Sequence, residues 1–129
     1  DFVLVHDAAR PCLRASEIDD LIAACEDEAI GAILALPMND TVKRVTDHTI
    51  VETVDRTTLW RAVTPQMFRF GVLFDALTEA LKANYEITDE ASAVERAGLS
   101  VNIVEADASN IKITRQQDVS IAESLLSLE

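Results

Sequence analysis

Glycine, aromatic residues and cysteine are all scarce in this sequence. Three glycines occur in 129 residues, and they are scattered at Gly31, Gly71 and Gly98. The chain therefore contains no glycine-rich loop of the kind that cradles a nucleotide phosphate. Aromatic residues make up 5% of the chain and hydrophobic residues 49%, so the core must consist mainly of alanine, leucine, isoleucine and valine. That composition is typical of helices packed on a sheet.

Positive charge is also scarce. The chain has 11 lysine and arginine residues against 23 aspartate and glutamate residues, which gives a formal net charge of -12. Such a surface repels the phosphates of nucleic acids and of anionic lipids. We therefore expect neither a nucleic acid nor a membrane as partner. The few basic residues that lie beside hydroxyl groups become candidate ligand groups.

The sequence has no apolar stretch that approaches the length of a membrane span, and it has no signal peptide pattern. Cys12 and Cys25 are not spaced as a metal or redox pair, and they are too few for a disulfide framework. These features predict a cytoplasmic protein. The length suits one domain. Because the sequence opens at Asp1 on an apolar run, without an initiator methionine, we expect a part of a longer protein.

The apolar run at residues 2–5 ends abruptly in polar and small residues. Pro11 follows too closely for a helix, so the run predicts a buried parallel strand. Open α/β sheets bind ligands at the carboxyl ends of such strands, which makes Asp7 and Arg10 candidate ligand groups. Ala8 adds almost no bulk, so a flat ligand could approach the backbone there. In the alternative interpretation, Asp7 and Arg10 pair with each other or with solvent at an ordinary strand exit.

The periodicity of the remaining chain predicts helices that alternate with strands, and hence an α/β fold. The first expected helix runs from a Ser16 cap to about residue 27, and the third covers residues 89–97 after a Thr88 cap. The second ends at Asn84 and has an apolar face formed by Phe70, Leu73, Phe74, Leu77 and Leu81. The last begins at a capping box of Thr114 and Gln117 and buries Ile121, Ala122 and Leu125. The expected strands are residues 29–36, 101–105 and 111–113. Trp60 is interpreted as a core residue, and His6 as a packed or hydrogen-bonded core histidine.

Residues 39–56 differ from the rest because threonine, valine and charged residues interleave there and no face is apolar enough for a core. We interpret them as a protruding arm of two strands, residues 41–46 and 49–55, with a turn at Asp47 and His48. An isolated pair of strands is marginally stable in water, so a second subunit is the expected support. The alternative is a long disordered loop.

Basic residues and hydroxyl groups lie side by side at the edges of several predicted elements. They are Arg10, Thr41 with Lys43 and Arg44, Arg56, Thr64, Thr88, and Lys112 beside Asn110. A base supplies charge and a hydroxyl supplies direction, so such groups bind phosphate well. In so acidic a chain, they predict a phosphorylated ligand.

Six motifs carry a family resemblance that covers the whole chain in order. They are Val5-His6-Asp7-Ala8-Ala9-Arg10-Pro11, Pro37-Met38-Asn39-Asp40-Thr41-Val42-Lys43, Thr53-Val54-Asp55-Arg56, Leu59-Trp60 with Thr64-Pro65-Gln66, Thr88-Asp89-Glu90-Ala91-Ser92, and Asn110-Ile111-Lys112 with Thr114. Together they closely resemble the 2-C-methyl-D-erythritol 4-phosphate cytidylyltransferase family. Ribitol 5-phosphate cytidylyltransferases resemble the first and last motifs but match residues 88–92 less well.

The resemblance implies a Rossmann-like three-layer nucleotidyltransferase fold that transfers CMP from CTP to 2-C-methyl-D-erythritol 4-phosphate (methylerythritol phosphate), with Mg2+ as cofactor. It assigns Asp7 and Ala8 to the nucleotide, and Asp7 also to the metal. It assigns Arg10, Thr41, Arg56, Thr64 and Thr88 to methylerythritol phosphate, and Lys112 to the α-phosphate in the transition state. It also implies a homodimer formed through the arm, in which Arg56 reaches the site of the neighbouring subunit.

One departure from the family is equally informative. The family begins with a strand and a glycine-rich loop whose arginine and lysine hold the triphosphate, and nothing in this sequence matches that segment. The resemblance therefore implies that residues 1–129 are the C-terminal portion of one nucleotidyltransferase domain, with the arm at residues 39–56 inside it, and that this portion is inactive by itself. The alternative is a non-catalytic domain that binds a phosphosugar or mediates dimerisation.

Overall fold

The computed structural model describes residues 1–27 and 29–128. In chain order its elements are β1 (Phe2–Val5), α1 (Ala15–Cys25), β2 (Gly31–Pro37), β3 (Val42–Thr46), β4 (Thr49–Val54), β5 (Trp60–Arg69), α2 (Phe70–Lys82), α3 (Glu90–Arg96), β6 (Asn102–Glu105) and α4 (Gln116–Leu126). This alternation confirms the α/β class.

Four of the strands form one mixed sheet in the order β1-β5-β2-β6. Strand β5 is antiparallel to both β1 and β2, and β2 is parallel to β6. Strands β1 and β2 therefore run in the same direction, as expected for a strand, helix, strand unit, but β5 lies between them. The prediction of β1 as a buried parallel strand is wrong for the residues described, since β1 has one neighbouring strand and Leu4 is 36% exposed.

Successive residues of β2 point to opposite faces of the sheet, and each face carries its own core. Leu34 packs in a cluster with Leu21 and Cys25 of α1. Ile33 packs in a second cluster with Phe68 of β5 and with buried residues of α2 and α3. The sheet thus lies between α1 on one side and α2 with α3 on the other, which gives three layers.

Two helices do not begin at the predicted hydroxyl caps: α1 is capped at Arg14, two residues before Ser16, and α4 at Arg115, one residue after Thr114. In α1 the backbone N–H of Arg14 donates to the Glu17 carboxylate (3.0 Å), and in α4 the N–H of Arg115 donates to the Asp118 carboxylate (3.0 Å). In both cases an acidic side chain in the first turn reaches back to the residue before the helix. The predicted caps at Ser16 and at Thr114 with Gln117 are therefore wrong.

Helix α2 buries Leu73 and two small residues but exposes other large ones. Ala76 and Ala80 are buried, whereas Phe70 and Phe74 are 55% and 58% exposed and stack with ring centroids 5.9 Å apart. The predicted apolar face is thus only partly covered by the described residues. The predicted end of the helix is confirmed, because Asn84 adopts a positive φ of 53°, a conformation that asparagine tolerates well.

Three further predictions are wrong. Residues 111–113 do not form a strand; instead Ile113 N–H donates one hydrogen bond to Ala9 O (2.8 Å), which ties this loop to the exit of β1. Trp60 is 41% exposed, because it lies at the start of β5 rather than in a core cluster. Ile121, predicted on the buried face of α4, is 49% exposed.

The arm has the two predicted strands. Strands β3 and β4 pair antiparallel around Asp47 and His48, whose φ values of 49° and 63° suit a tight hairpin turn. The alternative of a disordered loop is wrong. Across the described part of the chain, the arm forms its own two-stranded sheet, and Val45, Ile50 and Val51 are 53% to 59% exposed. No helix formed by residues 1–27 or 29–128 is long and apolar enough to cross a membrane.

Candidate active site

An open cavity of about 450 Å³ lies where β1 ends. The exit of β1, the middle of β5, the loop before α3 and the loop around residue 112 form its walls. Five of the candidate residues line it: Asp7, Arg10, Thr64, Thr88 and Lys112. The fold therefore gathers side chains that are as much as 105 positions apart in the sequence, from Asp7 to Lys112, around one space.

Three other candidates do not line this cavity. Ala8 follows Asp7 in the turn after β1 but is not part of the wall. Thr41 lies just before β3 and Arg56 just after β4, so both belong to the base of the arm. The Arg56 guanidinium donates a hydrogen bond to the Asn39 carbonyl oxygen, which fixes it on the arm of its own chain.

Asp7 and Lys112 form an ion pair at the mouth of the cavity. Lys112 Nζ lies 3.2 Å from Asp7 Oδ2, and Asp7 Oδ1 accepts a hydrogen bond from the backbone N–H of Ala9 (2.9 Å). The Ala9 hydrogen bond, and after it the Lys112 ammonium, hold the pKa of Asp7 below its ordinary value of 3.8. Asp7 is therefore an ionised carboxylate at neutral pH and a poor proton acceptor.

Arg10 is held beside this pair without joining it. Its guanidinium Nη1 donates to the Asn110 carbonyl oxygen (2.9 Å), while its Nε is buried without a hydrogen-bond partner among the described residues. Burial lowers the pKa of Arg10 and the Asp7 carboxylate opposes that change, but an arginine in a protein stays positively charged. The alternative in which Asp7 pairs with Arg10 is wrong, since the partner is Lys112.

Thr64 and His6 form a hydrogen-bond network under the turn after β1. Thr64 Oγ1 accepts from the Asp7 N–H (3.0 Å) and lies 2.9 Å from His6 Nδ1, while His6 Nε2 lies 2.9 Å from Arg10 O. Because a carbonyl oxygen can only accept, Nε2 carries the proton in the neutral ring, and the Thr64 hydroxyl donates to Nδ1. His6 is hydrogen-bonded as predicted, but it is exposed rather than packed in the core.

Thr88 lies just before α3 and is not its cap. Asp89 is the cap, since its Oδ1 accepts from the Ser92 N–H (2.8 Å). The Thr88 N–H donates instead to Ser92 Oγ (3.2 Å). The prediction of a Thr88 cap is wrong because the carboxylate of the next residue fills that role, and Thr88 lies at the cavity wall.

Two buried polar residues of the site received no role from the sequence. Gln66 in β5 is 1% exposed and hydrogen-bonds to Asp89, and Asn110 is 2% exposed and donates to the Thr64 carbonyl oxygen (2.9 Å). The signal for Gln66 was present in the sequence, because Gln66 lies among the apolar residues Pro65, Met67 and Phe68, and a polar side chain that is buried must find partners. The identity of those partners depends on tertiary contacts.

The carboxylates of the site do not form a metal cage. The described residues contain no group of three or more histidine, cysteine, aspartate or glutamate side chains able to hold a metal ion, and both oxygens of Asp89 already accept hydrogen bonds. Asp7 fits a different arrangement. Each of its oxygens accepts one hydrogen bond and keeps a further lone pair, and Mg2+ is often held by one carboxylate together with substrate phosphates.

The arrangement has the chemistry of a phosphate-binding site. Two cationic side chains, Arg10 and Lys112, and two hydroxyls, Thr64 and Thr88, line one cavity in a chain whose formal net charge is -12. Charge-assisted hydrogen bonds of this kind are stronger than neutral ones and recognise phosphate oxygens.

Comparisons with known proteins agree with this chemistry. The family model for 2-C-methyl-D-erythritol 4-phosphate cytidylyltransferase (IspD) matches residues 1–128. The chain is 52% identical over 120 residues to the enzyme of that name from Pseudomonas syringae pv. tomato, and the match covers 92% of this chain and 51% of the relative. The chain thus spans about half the length of the curated relatives that it matches.

Solved structures of the same enzyme have the same fold. The structure from Thermus thermophilus matches with a TM-score of 0.90 at 32% identity, over 98% of this chain and 62% of the other. The structure from Francisella tularensis matches with a TM-score of 0.89 at 40% identity, over 97% and 59%. The expected three-layer nucleotidyltransferase fold is thus confirmed. The sequence and the fold agree, and the chain belongs to the 2-C-methyl-D-erythritol 4-phosphate cytidylyltransferase family.

Proposed function

We propose that this chain forms the phosphosugar side of an active site that transfers CMP from CTP to methylerythritol phosphate and releases pyrophosphate. The observation that carries the proposal is the convergence of Arg10, Thr64, Thr88 and Lys112 on one cavity in a member of this family. The chain spans about half of its relatives, so the groups that hold the triphosphate are expected from the rest of the enzyme.

The proposed reaction needs no general base from the protein. A phosphate monoester has a second pKa of about 6, so the attacking phosphate is largely dianionic at neutral pH. Catalysis then depends on positioning and on the neutralisation of charge. The low pKa of Asp7, set by Ala9 and Lys112, supports a role as a charge partner rather than as a base.

The proposed roles follow from charge and position. Arg10, Thr64 and Thr88 bind methylerythritol phosphate, and Lys112 stabilises the charge that develops on the α-phosphate. Asp7, with the Ala8 backbone beside it, holds the nucleotide, and Asp7 would hold Mg2+ together with the triphosphate. When bound, that ion would supply charge neutralisation on the phosphate oxygens. The Asp7 side chain is 33% exposed, so a solvated ion could reach it.

We also propose a cytoplasmic homodimer joined through the arm. Thr41 and Arg56 lie at the base of the arm, outside the cavity of their own chain, and a second subunit would bring a cavity to them. The exposed apolar residues Val45, Ile50 and Val51 support this arrangement, because a two-stranded sheet needs further apolar contact to be stable.

The test is pyrophosphate release by a protein of the relatives' length that contains this chain, with CTP, Mg2+ and either methylerythritol phosphate or ribitol 5-phosphate. We expect turnover with methylerythritol phosphate and little with ribitol 5-phosphate. A preference for ribitol 5-phosphate would replace the proposed substrate. Binding of methylerythritol phosphate without any pyrophosphate release would instead support a non-catalytic phosphosugar-binding domain.

A further inference from the structure

Gln66 joins two walls of the cavity. It lies in β5, two residues after Thr64, and it is 1% exposed. Its amide nitrogen donates to Asp89 Oδ2 (2.9 Å), and its amide oxygen accepts from the backbone N–H of Ala91 (2.9 Å). One buried side chain of the sheet therefore binds both the cap residue and the second residue of α3.

These two contacts fix the start of a short helix. The first N–H groups of an α-helix have no partner within the helix. In α3, Asp89 satisfies the N–H of Ser92, and Gln66 satisfies the N–H of Ala91. Because α3 has only 7 residues, it is too short to be stable by itself and depends on tertiary contacts. Gln66 provides a polar tertiary contact at the end of α3 that faces the cavity.

Thr88 belongs to the turn that Gln66 holds. The Thr88 N–H donates to Ser92 Oγ (3.2 Å), and Ser92 Oγ donates to the Asp89 carbonyl oxygen (2.7 Å). The position of Thr88 is therefore linked through Asp89 and Ser92 to the Gln66 amide. Thr64 is linked to the same amide through the backbone of β5.

We propose that Gln66 is a positioning residue that sets the separation of Thr64 and Thr88 across the cavity and thereby the affinity for the phosphosugar. The inference rests on the proposed function, in which both threonines contact methylerythritol phosphate. Gln66 lines the cavity, but its amide oxygen is bound to Ala91 and its amide nitrogen to Asp89, with a longer contact to Val63 O (3.4 Å). It therefore acts through Thr88.

The first test is Gln66→Leu in an active protein that contains this chain. The variant keeps the volume but leaves the Ala91 N–H and Asp89 Oδ2 without their partner. We expect the KM for methylerythritol phosphate to rise on the order of tenfold, about the effect of one misplaced hydrogen bond, while the KM for CTP stays unchanged. The control is Leu73→Ala, which removes apolar packing from the same side of the sheet but no polar contact of this network.

The second test is Gln66→Glu, for which we expect the KM for methylerythritol phosphate to depend on pH. A merely structural role of Gln66 would not produce such a dependence of the KM. The new carboxyl group would face Asp89 Oδ2 at the 2.9 Å spacing of the present hydrogen bond. Ionisation of both carboxylates at this distance is unfavourable, so they share one proton at low pH and repel each other once that proton is lost at higher pH. We expect a near-normal KM for methylerythritol phosphate at acidic pH that rises as the pair loses its proton.

Other ionisable groups line the same cavity and are present in every variant. They are His6, Asp7, Arg10, Glu90 and Lys112. The phosphosugar also titrates. The ratio of the KM of Gln66→Glu to that of the unmodified protein removes these shared contributions, and Gln66→Leu should show no rescue at acidic pH.

Thr88→Val separates failure of this inference from failure of the proposed function. If Thr88→Val leaves the KM for methylerythritol phosphate unchanged, the assignment of Thr88 to the substrate is wrong, and the role of Gln66 is wrong with it. If Thr88→Val raises that KM but folded Gln66→Leu and Gln66→Glu do not, only the positioning role of Gln66 is overturned. Equal rises in the KM values for CTP and methylerythritol phosphate, matched by Leu73→Ala, would also overturn it.

Discussion

Lys112 Nζ lies 3.2 Å from Asp7 Oδ2, and the two side chains are 50% and 33% exposed. An ion pair with this exposure adds little to stability because water screens it. Its effect is to hold the Lys112 ammonium at the mouth of the cavity while the Ala9 N–H holds the other oxygen of the same carboxylate. The pair thus places a positive charge where we propose that the α-phosphate reacts.

Lys112→Ala should lower kcat more than it raises either KM, because the ammonium is proposed to act on charge that develops in the transition state. Loss of one such group typically costs on the order of a hundredfold in kcat. Steady-state kinetics with CTP and methylerythritol phosphate measure both quantities. The control is Lys82→Ala, which removes an exposed lysine paired with Glu79 on α2. A rise in KM alone would contradict the role in the transition state.

Gly31→Ala should destabilise the protein strongly. Gly31 has a φ of +152°, and a Cβ at this position would lie 2.2 Å from Met67 O and 2.8 Å from Phe68 Cα, both backbone atoms of β5. Relief of the clash requires a shift of the strand pairing, and we expect a loss of roughly 2 kcal/mol or more in the free energy of unfolding.

Gly71→Ala is the matched control for Gly31→Ala. A Cβ at Gly71 meets nothing within 4 Å, and alanine is favoured over glycine in a helix by about 0.5–1 kcal/mol. Urea denaturation should therefore show no loss of stability for this variant. Equal midpoints for Gly31→Ala and the unmodified protein would show that β2 and β5 are not packed as described.

Acid should destabilise the protein through several aspartates, of which Asp118 is the clearest. Hydrogen bonds from the Thr114 and Arg115 N–H groups lower its pKa below 3.8. A lowered pKa in the folded state means that the unfolded state binds more protons near that pH. The stabilisation by Asp118 is therefore fully present above about pH 5 and is lost as the pH falls through the folded pKa.

Asp118→Asn should make the dependence of stability on pH shallower below about pH 4, since the side chain still accepts hydrogen bonds but no longer titrates. The measurement is urea denaturation at a series of pH values. Gln117→Ala, in the same turn of α4 and without an ionisable group, should keep the original slope. An unchanged slope in Asp118→Asn would contradict the predicted contribution of this carboxylate.

Removal of apolar side chains from the arm should weaken self-association. We expect Ile50→Ser with Val51→Ser to shift the protein toward monomer in sedimentation experiments, because both side chains are exposed in this chain and are proposed to pack against a second subunit. Ile121→Ser, at an exposed site on α4, is the control. A monomer at high concentration before any substitution would reject the homodimer.

Features set by neighbouring residues were predictable from the sequence. The turn at Asp47 and His48 followed from alternating strands around two residues that tolerate positive φ, and the end of α2 followed from Asn84. The five candidates that line the cavity were named from the end of a strand, from neighbouring bases and hydroxyls and from the six motifs. Periodicity did not bring them together, because the distance between Asp7 and Lys112 in the fold is not encoded in their spacing.

The caps of α1 and α4 were mispredicted although their contacts are local, because Glu17 and Asp118 accept from the N–H group three residues earlier and hydroxyl groups nearby are also common caps. Features set by distant contacts were not predictable. The position of β1 at the edge of the sheet formed by residues 1–27 and 29–128 could not be inferred, since an apolar run indicates a strand but not which strands lie beside it. The two partners of Gln66 lie 23 and 25 positions away in the chain.

Pyrophosphate release from CTP and methylerythritol phosphate with Mg2+ tests the proposed activity most directly. It should be measured on this 129-residue chain, on a protein of the relatives' length that contains it, and on that protein with Arg10→Ala. We predict no turnover by the chain alone, turnover by the longer protein, and a raised KM for methylerythritol phosphate in the variant. Turnover by the chain alone, or an unchanged KM in Arg10→Ala, would contradict the proposal.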